Sequence, residues 1–168
     1  MINFQSISGI IIAISDLLTV PEKMGCYKII SIQKMDGEIV NFIISPETYF
    51  VDHIMVRPGD MVSGFYDANA PVPLIYPPQY QAVVMARAEP GRNVKVDFFD
   101  EDLVSSDGLL KLTLAPTTRI LLENGQAFTG NPAKRYLIAV YGPTTRSIPA
   151  QTTPEQIVVL CLGIGTNC

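Results

Sequence analysis

The chain is 168 residues long, which fits one domain or two very small ones and allows roughly 70% of the unfolded surface to be buried. Only 17% of its residues are charged, against about 25% in an average soluble protein, and the mean hydropathy is +0.26. A surface so sparse in charge points to self-association. The net charge of −4 and the pI of about 4.9 supply no basic field for phosphates, which disfavours nucleic acid and anionic membranes as partners.

Residues 10–14 form an apolar run too short to span a membrane, and no basic residue stands before Lys23, so the run reads as a strand buried on both faces and not as a leader. Residues 15–25 leave room for one helical turn before Pro21. Turn chemistry then recurs at Asp36-Gly37, Pro58-Gly59-Asp60, Pro90-Gly91, Asp107-Gly108 and Asn124-Gly125. Between these, Val94-Lys95-Val96-Asp97-Phe98 and Leu110-Lys111-Leu112-Thr113-Leu114 alternate apolar and polar residues, as strands with one wet face must. Residues 137–141 and 157–162 are continuous apolar runs of the kind covered on both faces. Thr153-Pro154-Glu155-Gln156 has the form of a helix start, but the β-branched Ile157-Val158-Val159 that follows favours a strand. Helical periodicity is absent elsewhere, so the fold is expected to be all-β.

The chain nearly repeats itself. Residues 66–85 align without a gap on residues 141–160 at a shift of 75, matching Tyr66 with Tyr141, Gln81 with Gln156, Val83 with Val158 and Val84 with Val159. At a shift of 70, Pro46 falls on Pro116 and Thr48 on Thr118. Each half then reads as a hairpin at an Asp-Gly turn, a strand interrupted by Pro, another strand, a Pro-rich loop and a closing strand. The expected division is a first β repeat over 1–90 and a second over 91–168.

Five short strands with a long connection before the last resemble the OB-type small barrel, a five-stranded Greek-key barrel. The resemblance implies two related OB-like five-stranded β-barrel halves packed as one unit. The segment 64–80, with Tyr66, Pro71, Pro73, Tyr76, Pro77, Pro78 and Tyr80, is similar to that of small bacterial proteins of no assigned function, a likeness that implies no site residues. Few Lys or Arg flank the aromatic positions, unlike in OB modules that bind nucleic acid.

Candidate sites follow from this frame. The prolines of loop 66–80 could hold Tyr66, Tyr76 and Tyr80 as a preformed surface for a partner, a peptide, a sugar or a base; the alternative is that the loop folds over its own half. In loop 142–154, Thr144, Thr145 and Ser147 surround Arg146, its only cation, which could meet a carboxylate or phosphate, unless the hydroxyls bond their own backbone. The acidic run Asp97, Asp100, Glu101, Asp102 and Asp107 lacks the spacing of a calcium loop and reads as a solvated turn. His53 beside Asp52 could serve as a general base, but no nucleophile motif accompanies it. Gly163, Gly165 and Thr166 give a GxG without the rest of a dinucleotide fingerprint. Cys26, Cys161 and Cys168 form an odd set with no CxxC pair, which suggests neither disulfide framework nor zinc site but a reducing cytoplasm.

The expectation is therefore a non-enzymatic assembly or binding module with no cofactor, homo-oligomeric through Tyr66, Tyr76, Tyr80 and the second loop. A ligand-binding protein using the same loop and Arg146 is the alternative, and an enzyme comes third.

Overall fold

A computed structural model describes residues 1–162, and these are all-β, with 46% strand against 4% helix. The chain divides into two compact units between Ala88 and Glu89.

The first unit contains β1 (Phe4–Asp16), β2 (Lys28–Gln33), β3 (Ile39–Ile44), β4 (Tyr49–Phe50), β5 (Met61–Asp67), β6 (Gln79–Gln81) and β7 (Val84–Arg87). They form one ladder in the order β4-β7-β5-β1-β2-β3-β6. β6 and β7 lie on one run of chain broken at Ala82-Val83: β6 is parallel to β3, and β7 is antiparallel to β5 and parallel to β4. Alternate residues of these strands meet in a core of Ile11, Ile30, Ile32, Val40, Phe42, Val62 and Met85. The Asp36-Gly37 turn closes the β2–β3 hairpin, with Gly37 at φ +89°, a conformation side chains disfavour.

The second unit contains β8 (Asn93–Phe99), β9 (Leu110–Leu112), β10 (Arg119–Leu122), β11 (Arg135–Tyr141), β12 (Ala150–Thr152) and β13 (Gln156–Val159). Its ladders run β10-β13-β11-β8 and β12-β9 around a core of Phe99, Leu110, Leu112, Leu137, Ala139, Ile157 and Val159.

Three expectations need correction. The two OB-like five-stranded barrels give way to a β-solenoid winding of about three turns. The seven-stranded ladder is open, with β4 and β6 at its edges, and the second unit's strands fall into two ladders. Four pairs are parallel, β3 with β6, β4 with β7, β10 with β13 and β9 with β12. Alternation specifies strands equally well for a barrel or a winding, because it fixes which face is wet and not which strand is the neighbour.

The second correction concerns residues 10–14, which are not covered on both faces. Ile10 and Ile12 are exposed at 45% and 44% while Ile11 between them is buried, the alternation of a strand with one wet face, and a bulge shifts the register of β1 between Ile11 and Ala13.

The third concerns the register of the repeat. Phe65 pairs with Val84 in the first unit, and Val140 pairs with Gln156 in the second. The N–H of Val83 donates to the Phe65 carbonyl at 2.8 Å, and that of Glu155 to Val140 at 2.9 Å. β7 therefore matches β13 at a shift of 72, not 75, so Val84 is equivalent to Gln156, and Val158-Val159 to Ala86-Arg87. The three missing residues lie in the second loop. The earlier match stands in the pairing: Thr48 Oγ1 accepts from Ser45 N–H at 3.0 Å and donates to the Ala82 carbonyl at 2.8 Å. Thr118 Oγ1 does the same with Ala115 at 3.2 Å and Pro154 at 2.8 Å.

Candidate functional site

The loop between β5 and β6 separates the three tyrosines expected to act together. Tyr66 ends the apolar part of β5 and Tyr80 sits in β6; the two strands are not ladder neighbours, and the rings meet beside the buried Phe42. Their rings lie 4.3 Å apart at 32°, and each packs on the buried Phe42 ring at 6.4 and 6.3 Å. Burial pushes the Tyr66 phenol above its ordinary value, helped by Tyr80 and opposed by Lys34. Tyr66 and Tyr80 are thus the foot of the loop, resting on the core. Tyr76 stands apart, 83% exposed at the tip.

That tip is Val72-Pro73-Leu74-Ile75-Tyr76, with Leu74 fully exposed and Val72 and Ile75 about half so. With Pro78 and Tyr80 these residues enclose a depression of about 360 Å³. Leu74 and Ile75 escaped the sequence reading, which followed the aromatic residues. The signal was present, since from Ala70 to Pro78 the hydroxyl of Tyr76 is the one polar side-chain group. A cis peptide bond joins Tyr76 to Pro77, and another joins Ile148 to Pro149 in the second loop.

The second loop turns its hydroxyls largely inward on itself. Thr145 Oγ1 accepts from Gln151 N–H at 2.9 Å and lies 2.7 Å from Ser147 Oγ, which donates to the Pro149 carbonyl at 2.8 Å. Thr152 Oγ1 donates to the Pro143 carbonyl at 2.9 Å. These bonds hold open a depression of about 500 Å³ between the loop and Thr113. Arg146 is exposed and is not among the residues that line it.

The other candidates resolve into local structure. Asp97 accepts from Ser106 Oγ at 2.6 Å and Phe98 N–H at 2.7 Å, and Asp100 from the N–H groups of Asp102 and Val104. Asp107 accepts from Lys95, Ser105 and Leu109. Among the described residues, no group of three or more His, Cys, Asp or Glu side chains is placed to hold a metal ion. The His53 ring stands edge-on to Tyr49 at 5.1 Å, and Asp52 and His53 both take positive φ in a tight turn after β4. Cys26 is an exposed free thiol, and Cys161 is exposed. Gly163, Gly165, Thr166 and Cys168 lie outside the described residues. Among those described, no helix is long and apolar enough to cross a membrane.

No family model matches the chain, and no curated protein matches it. The tip of the first loop and the depression of the second are what geometry offers.

Proposed function

We propose that this protein is a non-catalytic binding and assembly module that self-associates through the tip of the loop joining β5 to β6. The observation that carries this reading is the contiguous exposure of Val72, Leu74, Ile75 and Tyr76. Single exposed apolar side chains are ordinary, whereas a contiguous run marks a contact surface. No charged residue occurs between Asp67 and Arg87 in the sequence, so docking a second copy on the tip strips no ion of its water. Pro71, Pro73, Pro77 and Pro78 restrict the free loop, which lowers the entropy lost on docking.

The revised surface replaces the expected trio: Tyr76 contributes with Leu74, while Tyr66 and Tyr80 support it from below. The reading needs no cofactor. Nucleic acid is not the partner we infer, because the tip presents no cation. We infer a cytoplasmic location, where the exposed thiol of Cys26 stays reduced.

Sedimentation of the wild type and of Tyr76→Ala tests the proposal. The variant should weaken self-association by about 1–3 kcal/mol, the cost of truncating an interface aromatic, while unfolding at an unchanged denaturant midpoint. A wild type that stays monomeric at the highest soluble concentration sinks it.

A further inference from the structure

We infer that the depression between loop 142–153 and Thr113 binds a neutral polyhydroxylated ligand of the saccharide class. It belongs to the second unit and is independent of the apolar tip.

The lining sorts into two sets. Thr145 and Thr152 have their hydroxyls engaged by the loop's own backbone, as described, and these bonds make the walls rigid. The side-chain polar groups of Thr113, Thr144, Gln151 and Thr153 have no hydrogen-bond partner among the described residues, and all four residues are exposed around the same depression. Three hydroxyls that both donate and accept, with one carboxamide that does the same, match the dual character of sugar hydroxyls. A partner of single character, such as a carboxylate that only accepts, would leave half of this capacity idle.

Charge decides between ligand classes. No lining residue is charged, and Arg146 stands outside the lining. An anion entering would lose hydration without an opposite charge to replace it, whereas a neutral polyol loses only hydrogen bonds that the hydroxyls return. The threonine methyls and Pro143 supply apolar patches for the C–H faces of a sugar ring. A volume of about 500 Å³ accommodates one or two sugar rings and lies within the usual range of small-ligand sites.

The test is an NMR titration of the full chain with neutral hexamers of glucose and of N-acetylglucosamine, with inorganic phosphate as a separate arm. Saturable shifts should concentrate on Thr113, Thr144, Gln151 and Thr153 with at least one hexamer, and salt should not weaken them. Thr144→Val with Thr153→Val removes two unpartnered hydroxyls and should lower that affinity about tenfold, from roughly half a decade per net hydrogen bond, with the spectrum otherwise unchanged. Tyr76→Ala should bind as the wild type does, which separates this site from the association surface. The inference is overturned if neither hexamer gives saturable shifts, if only phosphate binds and salt abolishes it, or if the double variant binds a hexamer undiminished.

Discussion

The two long loops start from equivalent tyrosines, Tyr66 and Tyr141, and deliver the chain to equivalent ladder positions, Val84 and Gln156, yet one is apolar and the other polar. The difference shows which parts of a duplicated β unit are constrained. Ladder bonds are made by the backbone, so the pairing survives almost any side-chain change on the wet face. A loop has no such partner and is free to change both its length, here by three residues, and its chemistry. One unit thus presents a hydrophobic tip, and the other a rigid bowl of hydroxyls.

The sharpest way to break the equivalence is through the core. Gly64 and Ala139 occupy the same position, opposite Met85 and Ile157, while Phe42 and Leu112 occupy another, opposite Tyr80 and Thr152. A Cβ at Gly64 would come within 2.8 Å of three atoms of the buried Phe42 ring. The first unit therefore combines a large ring with no side chain, and the second a smaller Leu with a methyl. Gly64→Ala should destabilise the chain by about 1–3 kcal/mol through overpacking. Adding Phe42→Leu recreates the second unit's pair and should recover part of that loss in denaturant unfolding. A Gly64→Ala protein as stable as wild type would show that the ring has room to move, and the size exchange would then mean nothing.

The next test asks whether the equivalence is energetic as well as geometric. Thr48→Val and Thr118→Val each leave one N–H and one carbonyl without the hydroxyl between them. Each should cost about 1–2 kcal/mol, the range for part-buried hydrogen-bonding groups left unpaired. The two losses should agree and, being in different units, should add within about 0.5 kcal/mol in the double variant. A loss at one site and none at the other would limit the repeat to its backbone.

These two threonines also show what a single sequence makes legible. The Pro-x-Thr match at 46–48 and 116–118 is local, and so is the N–H that each hydroxyl accepts, so sequence spacing was enough to find the pair, although the carbonyls of Ala82 and Pro154 to which the hydroxyls donate lie more than thirty residues on. The strands were legible for the same reason. How they wind was not, because the choice of neighbour is a long-range property that alternation does not encode. The gapless alignment chased Val83-Val84 onto Val158-Val159, but β-branched pairs suit any buried strand, and register is set by loop length. Aromatic residues misled in the same way: Tyr66, Tyr76 and Tyr80 look alike in sequence, and only packing on Phe42 divides foot from tip. The bowl was half visible in the doubled threonines 144–145 and 152–153. Which hydroxyls the backbone would claim was not.

The smallest expected effect concerns the Asp-Gly turns that close equivalent hairpins. Asp36 accepts from Glu38 N–H at 2.9 Å, and Asp107 from Leu109 N–H at 3.0 Å. The Glu38 N–H is the main influence holding the Asp36 carboxyl below the usual range, with Lys34 adding to it against desolvation. At Asp107 burial pushes upward, but the hydrogen bonds from Lys95, Ser105 and Leu109 outweigh it and the carboxyl is again held low. Since both folded values are depressed, each group contributes stability above the unfolded carboxylate pKa of about 3.9, and the contribution is lost as pH falls through the folded value. The Asp36 turn is open to water and screened, so its share should be slight, whereas Asp107 has three donors and partial cover. Unfolding midpoints measured from pH 7 down to pH 3 should therefore fall less steeply in Asp107→Asn than in wild type, with Asp36→Asn close to wild type. Equal flattening in both variants would mean that the turn N–H, common to the two hairpins, sets the acid response and that the Lys95 and Ser105 contacts add nothing.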